Sequence, residues 1–127
     1  VVKHDYKTKH PRKYVGTQME ADNRDYPRKN WSSVMLINCG HFSWREMTPK
    51  EVMAMPGADL HQFAWIEDQR VGALPAEWNW MADEMGENPA AKIVHWTAGI
   101  PGFPSYANAP MADVWRAAAE KVTHATC

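Results

Sequence analysis

The chain has 127 residues, 45% of them apolar and 23% charged, and a formal net charge of −1. That is one domain's length, enough to bury a core, and the balance is ordinary for a globular protein rather than a disordered or strongly charged one. No apolar run approaches a membrane span, no signal peptide is visible, and two distant cysteines (Cys39 and Cys127) do not make a disulfide scaffold, so a reduced, cytosolic chain is expected.

Seven Trp in so short a chain suit either a compact core or a sugar-stacking surface. The chain opens on Val1-Val2 rather than Met, and a fragment of a longer protein, or one with residues removed, is the expectation. Charge is uneven. Residues 1–30 hold eight Lys and Arg against four acids, a basic N-terminal arm of +4, while the remainder is −5. Such an arm can attract phosphate or be a solvated segment; the tyrosines Tyr6, Tyr14 and Tyr26 lack the pattern of a base-stacking sheet, so nucleic acid is not the expected partner.

In chain order, Val1–Asp5 and Lys13–Met19 can form short strands, and Asp25-Tyr26-Pro27 signals a turn. Asn30-Trp31-Ser32-Ser33 leads into Val34-Met35-Leu36-Ile37, a short apolar run closed by Asn38-Cys39-Gly40. This length and its turn formers predict a strand buried on both faces, with amide and hydroxyl groups at its rims. Thr48-Pro49-Lys50-Glu51 is a helix start, with Thr48 and Glu51 as a capping box and Pro49 in the first turn; that helix ends at Pro56-Gly57. A second helix is predicted over Ala58–Trp65, with Leu60, Phe63 and Ala64 on one face. Val71–Leu74 reads as a short strand and Asp83–Pro89 as an exposed loop. Ala91–Thr97 reads as the second buried strand, followed by the Gly- and Pro-rich loop Ala98–Gly102, whose backbone amides could approach an anion. Met111–Val122 has the period of an amphipathic helix, with Val114, Trp115, Ala118 and Val122 together. The fold class expected is α/β: one mixed sheet flanked by short helices in a single domain, with Val34–Ile37 and Ile93–Val94 as neighbouring buried strands.

No Ser-His-Asp spacing, cysteine pair, His-Glu-x-x-His or phosphate-loop motif occurs. Of the six histidines, His95 stands out, near the C-terminal end of a buried strand and just before a Gly-rich loop. An imidazole there can ligate a divalent metal, donate to a phosphate oxygen, or be a hydrogen-bonded core residue.

Ser33-Val34-Met35-Leu36-Ile37-Asn38 resembles the N-[AS]-G-V-x-L-[IF]-N strand of glycosyltransferases related to glycogenin and the lipopolysaccharide galactosyltransferases. The longer wording from Tyr26 to Ser33, with Leu36-Ile37-Asn38, is similar to a bacterial and phage-borne branch of them. Three further segments follow in the family's order: Asp59-Leu60-His61-Gln62-Phe63, then Leu74-Pro75-Ala76-Glu77-Trp78-Asn79, then Ile93-Val94-His95-Trp96-Thr97-Ala98-Gly99. The family has there D-Q-D-x-L-N, L-P-x-x-[WY]-N and [IV]-x-H-[FYW]-x-G.

The resemblance implies the C-terminal, acceptor-side half of a nucleotide-diphosphosugar transferase (GT-A) fold, with a nucleotide sugar as donor, a carbohydrate or other acceptor, and Mn²⁺ or Mg²⁺ as cofactor. Carried over by position, His95 would be a metal ligand, and Gly99 and its loop would close over the diphosphate. Asn38 and Asp59 would lie near the donor sugar and acceptor, and Trp78 and Asn79 would line the acceptor side. The sequence departs from the pattern in several places. Ile100-Pro101-Gly102-Phe103 replaces the family's Lys-Pro-Trp, Gly99 falls one place late, only one of two expected acids stands near Asp59, and no D-x-D occurs. The isolated chain is therefore expected to be inactive and to bind metal weakly. A non-catalytic binding or assembly module keeping the transferase core is the alternative, and a basic-armed protein binding phosphorylated partners is a third. Under the fragment reading, apolar surface left by the missing half would drive homo-oligomerisation through the Trp side chains.

Overall fold

Apolar surface in this chain is covered mainly by loops and short helices, because its strands are too short to form layers. The computed structural model describes residues 1–124. Among the described residues there are four α-helices, α1 (Pro49–Ala54), α2 (Gly57–His61), α3 (Ala82–Met85) and α4 (Ala112–His124), with four two-residue strands. The strands are β1 (Arg12–Lys13), β2 (Ala21–Asp22), β3 (Trp80–Met81) and β4 (Val94–His95). They pair as β1 with β2, antiparallel, and β3 with β4, parallel. The fold is thus mixed α/β with short elements. The residues divide into two compact units: Val1–Tyr6 with Tyr26–Ala76, and Lys7–Asp25 with the segment from Glu77 onward. The basic residues of 1–30 are shared between the two.

The first unit holds α1 and α2. The capping box forms as the sequence predicts: the Glu51 amide donates to Thr48 Oγ1 at 3.3 Å, and the Thr48 amide donates to Glu51 Oε2 at 2.7 Å. Pro56 ends α1, and its carbonyl accepts from the Asp59 and Leu60 amides, which opens α2. The second helix stops at His61 rather than Trp65, because Phe63 turns left-handed (φ 52°) and lets the Ala64 amide reach back to the Asp59 carbonyl at 2.9 Å. That turn leaves carbonyls pointing inward. Arg28 takes them: its guanidinium donates to the carbonyls of Gln62 (2.8 Å), Phe63 (2.6 Å) and Ile66 (2.8 Å), and to Asp68 Oδ1 (2.6 Å). Lys29 is buried beside the rings of Tyr6 and Tyr26. Of the cations of the supposed arm, Lys29 is therefore an interior group and Arg28 a half-buried one.

Val34–Ile37 is not a buried strand. Val34 is extended (φ −138°, ψ 123°), but Met35, Leu36 and Ile37 are 47%, 80% and 40% exposed. The reason is the lack of flanking partners, since no backbone group of Met35 or Leu36 bonds a described residue. An apolar run becomes a core strand only when strands lie on both sides of it. The expected single sheet joining this run to Ile93–Val94 is likewise absent: the described residues form two two-stranded pairs, and Val34–Ile37 belongs to neither. Val1–Asp5 and Val71–Leu74 are not strands either, although the Leu74 amide donates to the Val1 carbonyl at 2.7 Å.

In the second unit, α4 forms where the period predicts it. Asp83–Pro89, expected as exposed loop, begins inside α3, and Glu84 is only 4% exposed. The strand expected over Ala91–Thr97 shrinks to Val94–His95, with Ile93 exposed, because its one partner is itself two residues long. Lys13–Met19 gives only Lys13 to β1; Tyr14 and Gly16, both at positive φ, turn the chain toward β2.

Arg28→Lys should destabilise the first unit by about 2 kcal/mol, since one ammonium cannot serve three carbonyls and a carboxylate in the guanidinium's fixed geometry. Urea denaturation measures this, and an unchanged midpoint would show the carbonyls are satisfied without Arg28.

Candidate functional site

The candidate site lies in the second unit, where a turn and two strands bring together residues far apart in sequence. Leu74-Pro75 leads into a 3₁₀ turn over Ala76–Asn79, whose last residue is fully buried. The chain then enters β3 directly, and the register Trp80↔Val94 and Met81↔His95 sets β4 alongside. The Trp80 amide donates to the Ile93 carbonyl at 2.9 Å, and the Glu77 carbonyl accepts from the Lys92 and Ile93 amides. This short parallel pair places the Asn79 side-chain carbonyl 3.1 Å from His95 Nδ1.

Behind the histidine stands α3. Asp83 Oδ2 accepts from Thr97 Oγ1 (3.0 Å) and from the Ala98 amide (2.5 Å), while Asp83 Oδ1 is buried with no partner among the described residues. Glu84 accepts from the Thr8 hydroxyl and from the Lys9 amide (2.9 Å), and its own carbonyl receives Lys9 Nζ at 2.6 Å. His10 Nε2 donates to the Asp83 carbonyl at 3.0 Å. Burial pushes the His95 pKa below the ordinary histidine value, against a smaller upward pull from Asp83. The neutral imidazole is therefore favoured.

Gly99 is buried, and a Cβ there would stand 2.4 Å from the Tyr106 ring, so the glycine exists to let Tyr106 lie against the backbone. The Tyr106 hydroxyl accepts from the Val15 amide at 2.9 Å, and the Ala98 carbonyl accepts from the Tyr14 amide at 2.6 Å. The loop expected to offer amides to an anion is thus held from inside, with its Ala98 amide taken by Asp83. A Cβ added at Gly102 would likewise stand 2.7 Å from the Trp115 ring.

Among the residues singled out by sequence, Asn79 and His95 meet, and Gly99 follows on the loop after β4. Trp78 is 47% exposed. Asn38 and Asp59 belong to the first unit. Asn38 closes its own turn, its Oδ1 accepting from the Gly40 amide at 3.1 Å, and lines a cavity of about 280 Å³ with Met35, Leu36, Trp44, Phe63 and Arg70. Asp59 lies in the first turn of α2. The residues missed are Asp83, Glu84 and Thr97. The signal for the two acids was their place three and four residues past Trp78-Asn79-Trp80, at a helix N-terminus, where negative charge is favourable.

His95 fits a divalent cation as one neutral ligand and no more. Among the described residues no three His, Cys, Asp or Glu side chains group closely enough to hold a metal ion. No described helix is long and apolar enough to cross a membrane. Indole N–H groups of Trp31, Trp80 and Trp96 each donate to a backbone carbonyl within their own unit.

No family model matches the sequence, and no solved structure matches it. A curated relative, Protein CDI of Arabidopsis thaliana, is 38% identical over 119 residues, which is 90% of this chain and 44% of that protein. The chain therefore spans less than half the length of that relative.

Two outcomes follow from this geometry. Because folded His95 resists protonation, the unfolded chain binds the extra proton first, and stability falls as pH drops below the ordinary value of 6.5 toward the lowered one. Above that window His95 contributes no slope. Chemical denaturation at stepped pH should show His95→Gln losing less stability on acidification than the parent, and equal slopes would contradict the assignment. Gly99→Ala should cost about 1–3 kcal/mol by overpacking against Tyr106, read as a lower thermal midpoint, and Gly99→Ala with Tyr106→Leu should recover part of it.

Proposed function

We propose that this chain is part of a glycosyltransferase that moves a sugar from a nucleotide-diphosphate donor to a carbohydrate or other acceptor. In this reading it supplies the C-terminal, acceptor-side half of a GT-A-type domain and works in the cytosol. One observation carries the proposal. Asn79 and His95, each the polar residue of a motif shared with that family, stand sixteen positions apart and are hydrogen-bonded across β3 and β4. A parent protein of the relative's length would have room for a separate nucleotide-binding half.

A divalent ion, when bound, would stabilise the charge growing on the departing diphosphate. His95 would hold it through one ring nitrogen, with carboxylates from outside this chain completing the set. Trp78, exposed beside Asn79, would offer a flat apolar face to a sugar ring. Self-association through exposed Trp44, Trp78 and the Met35–Ile37 run belongs to the same reading. The second reading, a binding or assembly module without catalysis, is favoured by that exposed run, which has the character of an interface.

The test is Mn²⁺ titration with donor hydrolysis on the whole protein from which these residues come. His95→Ala should abolish metal-dependent transfer and leave the circular dichroism spectrum unchanged. Full activity in that variant would remove the metal role, and a whole protein inert toward every sugar nucleotide would favour the assembly module.

A further inference from the structure

His95 has one ring nitrogen, Nε2, left over after its contact with Asn79. A side-chain carbonyl can only accept, so His95 Nδ1, 3.1 Å from Asn79 Oδ1, must be the ring atom that carries hydrogen. In a neutral ring the proton cannot also sit on Nε2, whose lone pair is then free. That atom has no described partner, and it is not among the buried side-chain polar atoms lacking one, which are Trp65 Nε1 and Asp83 Oδ1. Nε2 is therefore not fully buried. Asn79, by contrast, is fully buried at the end of its 3₁₀ turn, and the β3–β4 register fixes its distance from the ring.

We propose that Asn79 is a positioning residue that locks His95 as the Nδ1–H tautomer, so that an unprotonated, outward Nε2 is the donor atom this unit presents to a ligand. A freely rotating imidazole exchanges its proton between both nitrogens and offers the wrong one part of the time; an acceptor fixed behind the ring removes that loss before any ligand arrives. The donor is a borderline-soft, neutral nitrogen, suited to a transition-metal divalent cation and poorly suited to a phosphate oxygen, which would need an N–H at that position. The choice of electrophile rests on the transferase reading above; the tautomer rests on this geometry alone.

Nitrogen-15 NMR of the 127-residue chain, labelled at histidine, reads the tautomer directly. At a pH where the ring is neutral, His95 should show a protonated Nδ1 and an unprotonated Nε2. Asn79→Leu should shift the ring to the Nε2–H form or a mixture, and Asn79→Asp, which keeps an acceptor oxygen in place, should restore the parent pattern. A proton on Nε2 in the parent would overturn the proposal, as would a folded Asn79→Leu variant with an unchanged pattern. Should Asn79→Leu not fold, the parent and Asn79→Asp spectra decide. A parent carrying the expected tautomer in a whole protein that transfers no sugar would leave the positioning role standing and sink the transferase reading; the reverse result would do the opposite.

Discussion

The second unit depends on two neighbouring carboxylates. Strands of two residues contribute almost no ladder hydrogen bonds, so α3 does the work a sheet would otherwise do: Asp83 fastens Thr97 and Ala98, and Glu84 fastens Thr8 and Lys9. Each carboxylate accepts from both a side-chain hydroxyl and a backbone amide, which is the arrangement that makes a buried charge tolerable. Asp83 thereby fixes Thr97 and Ala98, which directly follow the strand that carries His95. The desolvation that keeps the imidazole neutral is a further effect of that tight closure.

In the first unit a cation does the equivalent work. Phe63, in a conformation glycine usually takes, exposes carbonyls to the interior, and Arg28 is itself at positive φ while it reaches them. A guanidinium suits the position because its donors diverge in one plane, and its charge is partly offset by Asp68 at 2.6 Å. The +4 balance of residues 1–30 therefore says little about partners. Arg12 is paired with Glu20 and Asp22, Lys9 reaches a backbone carbonyl, Arg28 is spent on carbonyls and Asp68, and Lys29 is interior.

What could be read from the sequence was whatever local rules decide. The Thr48–Glu51 capping box and helix α4 follow from neighbours within one or two turns, and both formed. The prominence of His95 beside its loop was also legible, since strand, histidine and glycine lie within a few residues. Its contact with Asn79 was not, because β3–β4 register is a long-range fact. Val34–Ile37 failed for the complementary reason: apolar content tells that a segment prefers burial, and only the presence of flanking strands decides whether it is buried. The sequence predicts Asp83 and Glu84 to face solvent, as carboxylates usually do, and the hydroxyl and amide groups that hold them instead lie more than a dozen residues away.

One consequence concerns exchange of amide hydrogens with solvent. In most folds the slow amides belong to helices and sheets, where a carbonyl holds each one. Here the loop amides of Lys9, Ala98 and Met111 are held by the carboxylates of Glu84, Asp83 and Glu87. Protection at those three positions is therefore set one side chain at a time, and removing a single carboxylate would free one identifiable amide between 15 and 75 residues away while its neighbours keep their rates.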